Sequence, residues 1–298
     1  MLSRCVLGAV LTGAALLLAA CASTGTAEAP KPAPQIREAS GAELAFQRLV
    51  DDALAADVII VGEEHDNEAA QALAADLWDS ILDVYAQSSS DTLSPALCLE
   101  FFERDEQLVL DDYLDGLIDR ESEFKRESGR TSGNYPEGHR RMVEASKEAG
   151  VPVFGANAPR RYARYAGDNG YDALREQAEG RQALFIIPDQ MPPEDYRERF
   201  FAIMEPMMEA HGGEDPDAIE GFYLSQVLKD ATMADAVADA VLAGYQPVLL
   251  VVGRFHSDHN GATVSYLRAA LPEARILTLS VTREEEDEPA ADVVILAP

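Results

Sequence analysis

A short pattern, Gly-x-x-His, occurs twice in this chain, each time directly after an apolar run. Gly62-Glu63-Glu64-His65 follows residues 57–61, and Gly253-Arg254-Phe255-His256 follows residues 247–252. Such runs predict buried β-strands, so each motif lies where a strand ends in a loop. Open parallel sheets bind ligands at that edge, and glycine lets the backbone turn sharply there. The two histidines, far apart in sequence, can meet only if their strands are close in one sheet.

Strand-like and helix-like segments alternate along most of the chain. The predicted strands are residues 57–61, 95–99, 151–155, 247–252, 274–281 and 292–296. Segments with helical periodicity lie between them, which predicts an α/β fold with a mostly parallel sheet and helices on both faces. Residues 160–244 are predicted to form a helical lid or insertion over the carboxyl ends of the strands, with a separate lobe as the alternative. The charged segment 119–134 is predicted to be an exposed loop beside the site.

The N-terminus is typical of an exported protein. Arg4 precedes an apolar stretch, residues 6–20, that is shorter than the roughly 20 residues needed to span a bilayer. The stretch ends in Leu18-Ala19-Ala20-Cys21, which matches a bacterial lipobox. We therefore predict a lipoprotein signal peptide over residues 1–20 and a lipid anchor on Cys21. Ala22, by the sorting rules of Gram-negative lipoproteins, favours the outer membrane, facing the periplasm.

The remaining chain divides into a linker and a domain. Residues 21–38 are rich in Ala, Pro, Thr and Lys without a period, which predicts a flexible tether. Residues 39–298 are long enough for one large α/β domain. The net charge of −29 argues against nucleic acid, and against anionic lipid bound through the protein surface. Cys98 is the only cysteine beyond the signal and the anchor, so the folded domain has no intrachain disulfide.

Polar side chains follow several predicted strands at the point where each one ends. They are His65 with its neighbours Glu63 and Glu64, Glu100, Asn157 and His256. A parallel sheet gathers such residues along one edge, so we expect them to share a pocket. The other histidines have simpler interpretations. We expect His139, in an arginine-rich helix, to lie at the surface and His259 to face solvent.

Two further groups lie in the helical segment. Gln226 and Asp230 are spaced by four and share a helix face, which either forms an internal hydrogen bond or lies over the strand-end pocket. Arg160 begins the densest basic cluster of this acidic chain, with Arg161 and Arg164. These arginines either pair with nearby carboxylates or receive an anionic group at the rim of the pocket.

Two histidines with carboxylates are compatible with three chemistries. They can bind a divalent metal, hold a water for general-base attack, or line a cavity that ligates haem iron. The zinc-protease motif His-Glu-x-x-His, the nucleophile elbow Gly-x-Ser-x-Gly and a glycine-rich phosphate loop do not occur in the sequence. The residues alone leave the three open.

Several short motifs occur in order from about Asp57 to the C-terminus. They are Gly62–Asn67, Leu99–Arg104, Tyr135-Pro136, Asn157–Arg160, Gln226 with Asp230, Met233 and Ala234, and Gly253-x-x-His256. Together they resemble the ChaN-type haem-binding lipoproteins, which share a superfamily with TIKI proteases and erythromycin esterases. The resemblance implies a periplasm-facing lipoprotein that binds haem in iron uptake, with two chains paired as a homodimer around the cofactor.

The resemblance also implies roles for individual residues. A tyrosine or histidine ligates the iron and arginines meet the propionates. Tyr135 is the first candidate ligand because it matches the family's tyrosine before a helix. The implied cofactor-binding set is His65, Glu64, Glu100, Tyr135, Asn157, Arg160, Gln226, Asp230 and His256. The chain departs from the family at Arg254-Phe255, where a smaller pair is common, which changes the shape of the cavity.

The same superfamily contains hydrolases, so a resemblance in fold leaves catalysis open. The alternative function is a metal-dependent hydrolase, with His65, Glu100 and His256 around a divalent metal ion. A third possibility is a non-enzymatic envelope lipoprotein whose pocket is unused.

Overall fold

A single seven-stranded sheet organises the molecule, seen in a computed structural model that describes residues 34–88, 93–131, 133–210 and 216–297. The strands are β1 (Gln35–Glu38), β2 (Val58–Glu63), β3 (Ala96–Glu103), β4 (Val153–Asn157), β5 (Val248–Gly253), β6 (Ile276–Thr282) and β7 (Val293–Leu296). Their order in the sheet is β1-β7-β6-β2-β5-β3-β4. Every neighbouring pair is parallel except β1 with β7. The predicted α/β class and mostly parallel sheet are confirmed.

Helices cover both faces of this sheet. They are α1 (Phe46–Ala55), α2 (Glu68–Gln87), α3 (Gln107–Leu114), α4 (Glu121–Glu127), α5 (Glu137–Ala149), α6 (Arg160–Gln177), α7 (Glu194–Ala210), α8 (Pro216–Leu242), α9 (Arg254–Ser257) and α10 (Ala262–Ala270). Successive residues of β2 point to opposite faces. Ile59 and Val61 pack with α1, α2 and α5, whereas Val58 and Ile60 pack with α8 and α10.

The centre of the sheet places the two Gly-x-x-His motifs side by side. β2 pairs with β5 in parallel, with Val61 opposite Val251 and Glu63 opposite Gly253. All residues of both strands are buried, as expected for parallel strands covered on both faces. The two strands therefore end at the same edge, and the expectation that they are neighbours is confirmed.

The helices of residues 160–244 are integrated with the rest of the fold. Met233, Ala234 and Val237 of α8 pack directly against the central strands. The chain from Pro32 to Pro298 forms one compact unit, so these helices do not form the separate lobe of the alternative. Residues nearer the N-terminus of α8, Gln226 and Asp230, instead reach the strand ends and contribute to the site.

Two predicted segments differ from the structure. The predicted tether extended to residue 38, but residues 35–38 form β1, which pairs with β7 at the edge of the sheet. The segment 119–134, predicted to be an exposed loop, contains α4. Phe124 of this helix is fully buried and anchors the segment in the core.

The predicted signal peptide and Cys21 lie outside the described residues, as does the predicted tether up to residue 33. Within the described residues, no helix combines the length and hydrophobicity that crossing a bilayer requires.

Candidate functional site

The ends of β2, β3 and β5 bring two imidazoles to one carboxylate. His65 Nε2 lies 3.9 Å from Glu100 Oε2, and His256 Nε2 lies 3.5 Å from Glu100 Oε1. The backbone N–H of Gly253 donates to Glu100 Oε2 at 2.6 Å. Glu100 lies within β3, where the register with β4 shifts between Leu99 and Glu103. The predicted convergence of His65, Glu100 and His256 is what the structure shows.

The two motif glycines serve close packing. A Cβ at Gly253 would lie 2.9 Å from His65 Nε2, and a Cβ at Gly62 would overlap Ser257 Oγ and lie 3.0 Å from Arg254 Cα. Neither glycine has a positive φ, so the predicted sharp turn is not the reason for glycine here. Each glycine instead makes room for the other motif. This reciprocity explains why both copies carry one.

The first imidazole is held from behind by a buried carboxylate. His65 Nδ1 lies 3.4 Å from Glu63 Oε1, and His139 Nε2 lies 3.0 Å from Glu63 Oε2. Burial raises the pKa of Glu63, but the hydrogen bonds with His139 and His65 outweigh it and the pKa lies below its usual value. An ionised carboxylate only accepts, so both ring nitrogens donate to it. The same hydrogen bond raises the pKa of His65.

His139 was expected at the surface, and that prediction is wrong. Its side chain is fully buried, and the ring of Phe101 stands edge-on to it and to His65, with ring centroids 4.4 and 5.1 Å apart. His139 and Glu63 are therefore site residues absent from the predicted cofactor-binding set. A signal for His139 exists in the sequence, because it shares the spacing of the apolar positions Met142 and Val143 on α5. His259, expected to face solvent, is only partly exposed and lies 3.5 Å from Glu286.

Glu64, a predicted pocket residue, turns away from the two imidazoles. Its Oε2 lies 3.0 Å from Arg283 Nη1, and its Oε1 lies 3.9 Å from Arg254 Nη1. Arg254 also pairs with Asp258 at 2.7 Å. The Glu64 carboxylate thus belongs to a separate ionic network, and of the two neighbouring glutamates only Glu63 contacts His65.

The second imidazole contacts polar groups of α8, which two further helices hold in place. His256 Nδ1 lies 2.7 Å from Asp230 Oδ1, and the amide nitrogen of Gln226 lies 3.2 Å from His256 Nε2. Asp230 also accepts from Tyr196 Oη at 2.6 Å and from Thr263 Oγ1 at 2.7 Å. Of the two predicted arrangements for Gln226 and Asp230, the structure shows the one over the strand-end pocket.

The buried imidazole and carboxylates form a charged cluster. Burial lowers the pKa of His256, but the charges of Asp230 and Glu100 outweigh it and raise the pKa to about 10. Burial likewise raises the pKa of Glu100, but the His256 charge and hydrogen bond outweigh it and lower the pKa to about 2. At neutral pH the cluster therefore holds an imidazolium between two carboxylates.

This arrangement does not favour the predicted metal set. Both ring nitrogens of His256 face carboxylates, so neither is free as a ligand. Within residues 34–88, 93–131, 133–210 and 216–297, no group of three or more His, Cys, Asp or Glu side chains is suited to hold a metal ion. His65, Glu100 and His256 come together as an ion-paired cluster, which differs from the metal centre of the hydrolase alternative.

His65 opens onto a surface groove made of two adjoining cavities. The first has a volume of about 250 Å³, and the imidazole, Glu100, Phe101 and Asn157 are part of its wall. The second has a volume of about 510 Å³, and its wall includes Arg160, Arg161 and Arg164 of α6. The residues shared by the two walls are Phe101, Glu103, Arg130, Asn134 and Arg160. We call these two cavities together the basic groove.

The predicted groove residues Asn157 and Arg160 lie in its wall. Asn157 donates to the backbone oxygen of Glu100 at 3.2 Å, and its Oδ1 is buried without a partner among the described residues. Arg160 is 89% exposed and its Nε lies 3.6 Å from Glu103 Oε1. Arg161, by contrast, forms a short ion pair with Asp105. Arg160 is therefore available to an anionic ligand.

Tyr135 lies in the core beside the groove. It is 4% exposed and packs edge-on against Phe102 and Phe124, with ring centroids 5.8 and 6.1 Å away. Its hydroxyl is buried without a partner among the described residues, and burial raises its pKa. Tyr135 lines neither cavity of the basic groove. Iron ligation by Tyr135 stays a prediction, and it requires the side chain to leave this core.

Comparisons with known proteins agree with the fold. A sequence profile for haem-binding uptake proteins, described as Tiki superfamily, ChaN, matches residues 49–267. A solved structure of ChaN from Campylobacter jejuni with cofacial haem binding has a TM-score of 0.72 and 16% identity, covering 89% of this chain and 97% of that one. No sequence among curated proteins matches the chain.

Two more distant structures have TM-scores below 0.5. The type III effector HopBA1 has a TM-score of 0.44 and 13% identity, covering 84% of this chain and 91% of that one. An erythromycin esterase in its open conformation has a TM-score of 0.42 and 14% identity, covering 86% of this chain and 81% of that one.

Proposed function

The chain belongs to the haem-binding uptake family of the Tiki superfamily that includes ChaN, and we propose that it binds haem in the basic groove with His65 facing the iron. One observation carries the proposal. His65 is half exposed beside a cavity, and its Nδ1 is held by Glu63 while Nε2 points away from that carboxylate. A carboxylate on one ring nitrogen fixes the tautomer and leaves the other nitrogen to bind a metal.

The residues of the basic groove fit an amphipathic, anionic macrocycle. Phe101 supplies an apolar ring next to His65, and Arg160 and Arg164 supply cations at the rim. Bound haem would supply an iron with open coordination positions. Behind His65, the Glu63–His139 pair sets the orientation of the ring, and the Glu100–His256 pair closes the floor of the site.

We further propose that a second copy of the chain covers the exposed face of the haem. Ligand pockets usually have volumes of about 300–1,000 Å³ and bury most of their ligand. The cavity beside His65, at about 250 Å³, is too small to enclose a macrocycle, so the haem would lie across the open groove. The Campylobacter protein binds haem cofacially, which supports pairing here. Sedimentation with and without haemin tests this, and a monomer under both conditions would contradict it.

The cellular role that fits these features is haem or iron uptake at the envelope. The lipobox that ends in Cys21 supports a lipid-anchored protein facing the periplasm. Metabolic labelling with a fatty acid, compared between the natural chain and Cys21→Ser, tests the anchor. Equal labelling of the two proteins would contradict lipid attachment at Cys21.

A haemin titration tests the central proposal. The natural protein is expected to shift the Soret band of haemin, and His65→Asn is expected to lower the affinity at least about tenfold because it removes the iron-facing nitrogen. His259→Asn is the matched control, since His259 is another partly exposed histidine outside the basic groove, and asparagine tolerates its φ of +55°. Absence of any Soret shift with the natural protein would overturn the proposal, and equal affinities of the two variants would remove His65 from it.

A further inference from the structure

In the wall of the cavity beside His65, one cation has no charged partner among the described residues. Lys229 of α8 lines the cavity beside His65, Glu100 and Asn157. Among the described residues it makes no ion pair and no hydrogen bond. The chain has 53 acidic residues against 24 basic ones, so acidic partners are abundant. A lysine that faces a cavity without one is therefore placed for something other than internal pairing.

Lys229 is also separate from the charged cluster behind it. Its neighbour Asp230 turns into that cluster and contacts His256, whereas Lys229 lies on the side of α8 that faces the groove. The positive charge of Lys229 is thus available to a ligand in the cavity.

A second unpartnered polar group supports an occupant of this cavity. Asn157 Oδ1 is buried without a partner among the described residues, although its amide nitrogen is held by the Glu100 backbone. Buried polar atoms without partners in a protein usually belong to a site that water or a ligand completes. The cavity therefore offers an unpaired cation and an unpaired acceptor beside the exposed imidazole.

We propose that Lys229 binds a carboxylate of the ligand that His65 receives, namely one propionate of haem, and so fixes the orientation of the macrocycle in the groove. This inference rests on the proposed function. A lysine ammonium is a compact donor that forms charge-assisted hydrogen bonds with carboxylates. The carboxylate end of the haem would then point toward α8 and the first turn of α6, where Arg160 also lies.

Binding of haemin and of haemin dimethyl ester tests the inference, because the ester lacks the negative carboxylates. Lys229→Met keeps the length of the side chain and removes its charge. We expect it to weaken haemin binding about tenfold, as the loss of one charge-assisted hydrogen bond implies, and to leave ester binding unchanged. Lys229→Arg is expected to keep the haemin affinity within about threefold, since it keeps the charge.

Arg181→Met is the control for removing a charge from this acidic chain, because Arg181 is exposed and lines neither cavity. It is expected to bind both ligands like the natural protein. Unchanged haemin binding by Lys229→Met, while the natural protein binds haemin normally, would overturn this inference alone. Equal weakening of haemin and its ester would also overturn it, by assigning Lys229 a structural role. Absence of haemin binding by the natural protein would remove both this inference and the proposed function.

Discussion

The two Gly-x-x-His motifs end neighbouring strands, yet their histidines occupy opposite environments. The side chain of His65 is 50% exposed, whereas that of His256 is 6% exposed. Both nitrogens of His256 lie within 3.5 Å of a carboxylate oxygen. His65 has Glu63 near Nδ1, but its Nε2 is 3.9 Å from Glu100, which is beyond hydrogen-bonding distance. The same local pattern thus gives one accessible and one enclosed imidazole.

The difference comes from the helices that cover each strand end. Asp230 of α8 contacts His256, and Tyr196 of α7 and Thr263 of α10 donate hydrogen bonds to Asp230. The groups around His65 come from β2, β3 and α5, and they leave the groove side of the ring open. Tertiary packing therefore determines that one imidazole stabilises the fold while the other can meet a ligand.

The largest expected loss of stability is at the enclosed histidine, His256. Asp230→Asn leaves the His256 imidazolium without its closest countercharge, and breaking a buried pair from one side costs about 3–5 kcal/mol. His65→Asn changes a half-exposed side chain and is expected to cost under about 1 kcal/mol. Urea unfolding of the two variants measures the difference. Equal losses in the free energy of unfolding would mean that the two motifs carry similar structural roles.

The second largest expected difference between the two motifs is in how stability depends on pH. His256 has a folded-state pKa of about 10, above its ordinary 6.5, so the folded chain keeps a proton that the unfolded chain releases. Its stabilisation is complete below about pH 6.5 and is lost as the pH rises toward 10. Between about pH 7 and 9 the free energy of unfolding should fall by up to about 1.4 kcal/mol per pH unit.

The matched variants for this measurement are His256→Gln and His65→Asn. His256→Gln removes the group that holds the proton, so its unfolding free energy should vary much less over that range. His65→Asn should keep most of the slope, because the exposed imidazole is better screened by solvent. An unchanged slope in His256→Gln would show that another group is responsible.

A smaller contrast is expected at the two glycines. In Gly62→Ala the new Cβ meets Ser257 and the backbone of Arg254, which cannot move easily, so we expect a loss of about 1–3 kcal/mol. In Gly253→Ala the Cβ meets only the ring end of His65 at 2.9–3.0 Å and Glu100 at 3.5 Å. A half-exposed ring can swing away, so stability should change less while haemin affinity falls. Thermal unfolding and haemin titration of both variants test this, and the reverse order of stabilities would contradict it.

Much of this arrangement could be predicted from sequence because it follows from periodicity. The apolar runs of β2 and β5 end in the motifs, and parallel strands bring their carboxyl ends to one edge. The four-residue spacing of Gln226 and Asp230 placed both on the same face of α8. These features follow from the local sequence pattern alone and do not depend on which helix or strand packs beside them.

The rest depends on which element covers each residue. Glu63 and Glu64 are adjacent, and only the position of β2 between β5 and β6 determines which one faces His139. The burial of His139 depends on α5 packing against α2, where a Cβ at Gly138 would lie 2.6 Å from Gln71. The spacing of His139 with Met142 and Val143 indicates a buried face of α5, but the local sequence does not indicate that α2 covers this face.

Tyr135 offers the smallest effect on stability and the sharpest test of iron ligation. Its hydroxyl makes no hydrogen bond among the described residues, so Tyr135→Phe should change the free energy of unfolding by under about 0.5 kcal/mol. If the tyrosine stays in the core, the haem spectrum of this variant should match that of the natural protein, and His65→Asn should change it. A changed spectrum in Tyr135→Phe with unchanged stability of the free protein would instead show that haem draws Tyr135 out from between Phe102 and Phe124. The iron would then be bound by both His65 and Tyr135, although Tyr135 is buried in the free protein.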